Sequence, residues 1–441
     1  MKHSHSVPEP HTNTLHTRRQ FMRTSMLGAA VSWTLPVFLE KTFMTLDAMA
    51  ADSAVQTPTG KDGSILVVLQ LAGGNDGLNT VVPHADDAYY NARPVIGVKP
   101  GQILIIDDLI GLHPQLAGLK GLYDDGHLGI IQGVGYPNPD RSHFRSTDIW
   151  QSASDAERYE THGWIGRYFD SCCRGADPTV GVAIGSEMPM AFAGENPTGI
   201  AFARPEQLHW SAGGGGRSAE ALFRELNKPD EVHAGATVGA VGAALPHGGS
   251  TLDFLQRVAL DAQVSSEKIS AIAGKFQAGA EYPRTPLGQG LGLVSRLIAG
   301  GLPTRVYYVS QGGYDTHTNQ VGTHDRLLGE LGDSLAAFAK DLKAQGNFER
   351  VVLLTFSEFG RRVAQNGSNG TDHGAAAPLF ILGGKVKAGT YGRYPSLTEL
   401  DRGDLVFNVD FRSVYATVLE QWLQAPGEKV LGRRFPLLPI V

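Results

Sequence analysis

Apolar residues fall along this chain in short dense runs separated by polar and glycine-rich turns. Ser64–Leu71 reads SILVVLQL, Gly129–Val134 reads GIIQGV and Arg305–Ser310 reads RVYYVS; Arg350–Phe356 reads RVVLLTF and Pro378–Leu382 reads PLFIL. Runs of this length with little alternation suit strands buried on both faces, as in a parallel sheet. Between them the apolar spacing becomes helical. His324–Lys343 places Leu327, Leu328, Leu331, Leu335, Phe338 and Leu342 on one face, and His113–Asp124, Thr251–Ala278 and Pro286–Ala299 are further helical stretches. Strand alternating with helix predicts an α/β fold, an open and mostly parallel sheet with helices on both sides. From Pro205 to about Glu281 the alternation stops. That stretch has no clear strand and carries Gly213 to Gly216 in a row, so 205–281 reads as a partly helical insertion or cap on a single domain, 51–441.

The first 50 residues read differently. Thr17-Arg18-Arg19-Gln20-Phe21-Met22-Arg23 sets a twin-arginine pair before an apolar residue, an uncharged stretch runs from Thr24 to Leu39, and Ala48-Met49-Ala50 gives a small-x-small cleavage pattern. The stretch is too short and too rich in Ser, Thr and Gly for a membrane span, which needs about 20 apolar residues. The order of the three features predicts a signal peptide over 1–50 and export in folded form by the twin-arginine translocase, to the periplasm or beyond. The mature chain is expected to be soluble, with no membrane span.

Charge narrows the partners. The formal net charge is −6, and the first 50 residues carry five basic and three acidic groups, so the remainder stands at −8. A mildly acidic chain without a basic run is a poor nucleic-acid binder. The two cysteines, Cys172 and Cys173, are neighbours. Adjacent cysteines bridge outside the usual disulfide geometry, so ordinary packed thiols are expected.

Five polar clusters offer chemistry. AGGNDGLNT (72–80) follows the first apolar run, and DRSHFRSTD (140–148) follows the second. GGYDTH (312–317) follows the third, SEFGRR (357–362) the fourth, and GTDHG (370–374) precedes the fifth. In open α/β sheets, sites form beyond the carboxyl ends of the strands, so parallel strands would gather these clusters at one edge. They supply Asp76, Asp315 and Asp372 with His143, His317 and His373, a carboxylate and imidazole set suited to Zn or another first-row divalent metal.

The motifs LAGGNDGLNTVVP, RSHFRSTDIW, GGYDTH, TFSEFGRR and GTDHG, in this order behind a twin-arginine signal, resemble a family of exported bacterial proteins. That family is known as domain of unknown function 1501 and is grouped with the alkaline phosphatase and sulfatase superfamily. The resemblance implies an alkaline-phosphatase-like α/β fold and brings no assigned reaction. The superfamily's first-strand Asp resembles Asn75-Asp76, its nucleophile loop resembles Ser142 beside His143, and its later Asp and His resemble Asp315 and His317. Its adjacent Asp-His pair matches Asp372-His373. Two departures stand out. Hydrolytic members usually add a metal-binding His downstream of that pair, and none follows His373 here. The nearest sulfatase-like match, Pro137-Asn138-Pro139-Asp140-Arg141, has a proline where the nucleophile belongs, which disfavours formylglycine chemistry.

These readings converge on an exported, metal-dependent hydrolase of phosphate esters, or less readily sulfate esters. Asp76, Asp315, His317, Asp372 and His373 would hold the metal, Zn first, with Mn, Mg or Ca as alternatives. Ser142 would attack, activated by metal contact or by His143. Asn75, Glu358 and the arginines Arg141, Arg145 and Arg361 would bind a small anionic ester. The alternative is a non-catalytic relative that binds a surface glycan or an exported partner. A Ser-His-Asp esterase lacks the G-x-S-x-G elbow.

Overall fold

The computed structural model of the chain describes residues 63–174, 176–196, 199–205 and 265–441. The predicted signal peptide, 1–50, and most of the predicted insertion, 205–281, lie outside the described residues.

Among the described residues the main sheet has nine strands. They are β1 Ile65–Ala72, β2 Leu128–Gly135, β3 Gly181–Ile184, β4 Ile200–Phe202 and β5 Val306–Gly312, followed by β6 Val351–Phe356, β7 Ala377–Gly383, β8 Gly389–Tyr391 and β9 Val409–Asp410. Their spatial order is β8-β2-β7-β6-β1-β5-β3-β4, with β9 also on β2. Every pairing is parallel except those of β7, which is antiparallel to both neighbours.

The central strands are apolar throughout because both faces are covered. On β1, Ile65, Val67, Leu69 and Leu71 enter one core, and Leu66 and Val68 enter the other. Helices α1 Ala117–Asp124, α4 Pro286–Ala299 and α5 Gln320–Ala344 contribute Leu119, Leu291, Leu328, Leu335 and Phe338 to the first core. Helices α2 His143–Ser152, α3 Trp164–Cys172 and α6 Phe411–Thr417 bring Trp150, Trp164, Phe169 and Tyr415 to the second. Each fully buried large side chain contributes about 1.5–3 kcal/mol by leaving water.

Register explains where the polar clusters go. Ala72 pairs with Gly312 and Gln70 with Phe356, so β1, β5 and β6 end level with one another. Ala377 pairs with Val134, so β7 begins beside the end of β2. The antiparallel direction of β7 therefore delivers the segment before it, GTDHG, to the edge where the other four clusters emerge. One expectation fails: Cys172 and Cys173 are joined to each other by a disulfide, with Cα atoms 3.8 Å apart. Helix α3 ends there, and Cys173 has left helical geometry (φ −132°, ψ 30°).

Candidate metal centre

Asp315 sits at the middle of the site. It leaves β5 on the glycine pair Gly312-Gly313 and reaches under the loop after β1. The turn at Gly73 (φ +118°) makes this approach close, since a Cβ there would lie 2.5 Å from the Asp315 backbone nitrogen. Asp315 Oδ1 lies 3.1 Å from His317 Nε2 and 3.1 Å from His373 Nε2, and Oδ2 lies 3.4 Å from His143 Nε2. His317 Nε2 and His373 Nε2 are 2.9 Å apart. The ligand atoms of His143, Asp315 and His373 all fall within 4.8 Å of one another, and His317 reaches the last two.

The far nitrogen of each ring is already engaged. His143 Nδ1 donates to Glu358 Oε1 at 2.9 Å, and His373 Nδ1 donates to the Arg141 carbonyl at 2.8 Å. His317 Nδ1 faces Asp372 Oδ1 at 3.5 Å. A proton held on Nδ1 leaves Nε2 with a lone pair in the neutral ring. Three such lone pairs thus converge on one carboxylate. They repel unless extra protons or a cation stand between them. This outer bracing of the imidazoles is the arrangement found around metal ligands. Ligands about 2.0–2.1 Å from a tetrahedral Zn lie roughly 3.3 Å from one another, a spacing that each ring meets with Asp315, while His143 and His317 are joined only through Asp315 and His373. The donor set of nitrogens with one carboxylate suits Zn or a similar first-row ion better than Mg or Ca.

The surrounding groups hold the Asp315 carboxyl in its charged form. Burial alone would raise the Asp315 carboxyl, but the hydrogen bond and charge of Arg361, with further lowering from His373 and His317 when those rings carry a second proton, hold it at about 2. Burial lowers His373, against the opposing pull of Asp315 and the Arg141 carbonyl. A hydrogen bond from Asn366 holds Asp372 below its ordinary value, with His317 assisting.

Residues 254–428 match the family described as Protein of unknown function (DUF1501). Asp315, His317, Asp372 and His373 lie inside that span and His143 outside it. No curated protein matches the chain. Among similar solved structures is a protein of the alkaline phosphatase superfamily from Vibrio parahaemolyticus (9% identity, 93% of this chain and 81% of that one, TM-score 0.39). Another is the PsFucS1 sulfatase from Pseudoalteromonas sp. (10% identity, 95% and 74%, TM-score 0.38). A third is the C-terminal periplasmic domain of EcEptC from Escherichia coli in complex with Zn (10% identity, 75% and 77%, TM-score 0.30).

Several residues expected at the site serve elsewhere. Asp76 is fully buried below the cluster, where Oδ2 accepts from Arg93 Nη1 at 2.6 Å and Gln320 Nε2 at 2.5 Å; Oδ1 is buried without a partner. Burial would raise its pKa, yet Arg93 beside it holds it below the ordinary carboxylate range. A guanidinium therefore stands where the sequence suggests a metal. Asn75 is also buried, its Oδ1 bonded to Thr80 and His324. Arg145 donates to the carbonyls of Asp155, Ala156 and Arg158 and lies over the Tyr159 ring, so it shapes that loop and not an anion pocket. Arg361 is buried, and its donors go to the carbonyls of Gly73, Gly74, Tyr314 and Thr371 and to Asp315 at 2.8 Å. It ties three loops together and has little left for a substrate. Glu358, expected to touch substrate, is buried and accepts from Gly73 N–H at 2.7 Å as well as from His143. Ser142 is exposed at the N-cap of α2. Both nitrogens of His143 face carboxylates, so the ring is placed among the ligand candidates and is not turned to Ser142 as a base.

No His follows His373 in the chain, and the third imidazole facing Asp315 is His143, far upstream. Sequence reasoning missed Arg93, Gln320 and His324. Gln320 accepts from Thr316 and Thr371 while holding Asp76, which links the loops carrying Asp315 and Asp372 from beneath. A signal was present: Gln320 and His324 continue the α5 stripe of Leu327 and Leu331 by one turn each, so polar side chains occupy core-facing positions.

Among the described residues, no helix is long and apolar enough to cross a membrane.

Proposed function

We propose that this protein is an exported, metal-dependent hydrolase of phosphate esters, with sulfate esters as a second substrate class. The observation that carries this reading is the convergence of three imidazole Nε2 atoms on Asp315, each ring braced through Nδ1. His143, Asp315, His317 and His373 would hold one divalent ion, Zn first. Such an ion would supply Lewis-acid stabilisation of charge developing on the ester and its leaving oxygen. Glu358, Asp372 and the Arg141 carbonyl fix the rings, and Arg361 fixes Asp315. Asp315 and Ser142 are exposed, so an ester can approach from solvent and the Ser142 hydroxyl is open to it as nucleophile. Export rests on the Arg18-Arg19 motif and the segment after it, outside the described residues.

The reading without catalysis, a protein that binds a surface glycan or an exported partner, draws support from the capture of Asp76 by Arg93. Metal-supplemented protein assayed with p-nitrophenyl phosphate, bis-p-nitrophenyl phosphate and p-nitrophenyl sulfate separates the two. The hydrolase reading expects turnover of a phosphate ester that is lost in Asp315→Asn. No turnover of any of the three by metal-loaded protein favours the binding reading.

A further inference from the structure

Four arginines belong to the segments that build the metal centre, and their donors are differently committed. Arg145 and Arg361 are buried and spend theirs on backbone carbonyls. Arg141 and Arg362 do not. Arg141 Nη2 is ion-paired with Asp404 Oδ2 at 2.5 Å, and Arg362 Nε lies 3.6 Å from Asp404 Oδ1 without a hydrogen-bond partner. The two side chains are 32% and 37% exposed, whereas that of Asp404 is 3% exposed. Two guanidiniums thus lie against one buried carboxylate, Arg141 in close contact with it and Arg362 farther off, and one negative charge stands against two positive ones.

Their backbones place them at the rim of the centre. The Arg141 carbonyl accepts from His373 Nδ1, and the Arg362 N–H donates to the Asp372 carbonyl at 3.0 Å. Burial raises the Asp404 carboxyl even against the pull of Arg141 and Arg362, which marks a strongly desolvated brace. A planar guanidinium pairs two parallel N–H donors with two oxygens of a tetrahedral oxyanion, and a pre-oriented one loses less freedom on doing so.

We propose that Arg141 and Arg362, braced on Asp404, form the oxyanion-recognition pair of this site and take the phosphoryl group of the ester. The proposal rests on the hydrolase reading for its substrate. Of the three arginines expected to bind the anion it keeps Arg141, and it replaces Arg145 and Arg361, whose donors are spent, by Arg362, with Asp404 far along the chain beside both. Phosphate and sulfate share the tetrahedral oxyanion geometry. The excess positive charge favours the more highly charged phosphate.

Titration calorimetry with inorganic phosphate, and with sulfate as a second arm, tests the pair. Wild type, Arg141→Lys, Arg362→Lys and the exposed control Arg434→Lys, paired with Glu428 away from Asp404, are compared, with metal content measured on the same samples. Lysine keeps a positive charge beside Asp404 but cannot offer the paired donors. Arg362→Lys is the decisive variant, because Asp404 retains Arg141 and folding is preserved. The expected result is phosphate binding weakened about tenfold or more by each site variant. Sulfate binding is weaker throughout, and neither metal content nor the control changes. Phosphate affinity that is absent in wild type, or unaltered in both site variants, overturns the proposal. A metal-loaded protein whose phosphate affinity ignores both arginines leaves the hydrolase reading intact and sinks the pair. A metal-free protein whose phosphate affinity depends on them does the reverse.

Discussion

Glu358 holds His143 by its Nδ1 at 2.9 Å, and the same carboxylate oxygen takes the Gly73 N–H at 2.7 Å. The end of β6 thereby fixes both the loop after β1 and an imidazole at the start of α2. Removing this brace should loosen the metal centre without dismantling the sheet. Glu358→Ala is expected to weaken Zn binding about 10–100-fold, the usual cost of losing an outer partner. Stability should fall by about 1–3 kcal/mol for the unpaired Gly73 amide. A chelator-competition titration beside a thermal melt reads both, and unchanged Zn affinity would count against the assigned role.

Arg361 is the other brace, and its loss should be costlier. Replacement by methionine strands the carbonyls of Gly73, Gly74, Tyr314 and Thr371 and leaves Asp315 without its guanidinium. Asp315 is exposed and can turn to water, so the cost comes from the buried carbonyls left unpaired, at about 1–3 kcal/mol each and about 3–5 kcal/mol in all. Urea unfolding of Arg361→Met should show a loss of that order. A loss under about 1 kcal/mol would mean the loops are held by something else.

The buried ring of His324 gives a pH dependence with a definite sign. Burial lowers its pKa to about 4, and the opposing pull of Asp76 does not restore it. The unfolded chain binds this proton below about pH 6.5, while the folded chain refuses it until about pH 4. The stability it confers is therefore full above about pH 6.5 and is lost as pH falls from there toward 4, by about 3 kcal/mol in all. His324→Asn should flatten the pH dependence of urea midpoints across that window. An unchanged slope would show that other groups carry it.

Much of the fold was legible because the central strands are buried on both faces and leave long apolar runs. The five runs became β1, β2, β5, β6 and β7 within a residue or two at most ends, and Pro286–Ala299 is helical as read. The direction of β7 was not legible, because a strand covered on both faces reads the same either way. The short strands β3 and β4 carry too few residues for a periodic signal. At the site, the sequence brought Asp315, His317 and His373 forward together. It could not separate Asp76 from them, because the deciding partner, Arg93, comes from a helix end whose placement is tertiary. Nor did it show which arginines face inward: Arg361 and Arg362 are adjacent, and only the buried one ties the loops.

Export makes its own prediction. Arg18→Lys with Arg19→Lys removes the pair a twin-arginine receptor reads. Cell fractionation should find the double variant in the cytoplasm and wild type outside it. A double variant still exported would remove the twin-arginine assignment and leave the metal centre untouched.

The central claim is that His143, Asp315, His317 and His373 form one metal site. The most direct measurement is elemental analysis with Zn titration of chelator-stripped wild type and of Asp315→Asn. The account predicts about one divalent ion per wild-type chain, from a single four-ligand centre, and loss of that ion in Asp315→Asn with the melting temperature of the metal-free protein largely kept. A wild type that takes up no divalent metal under titration, or an Asp315→Asn variant that binds it as tightly, would contradict the account.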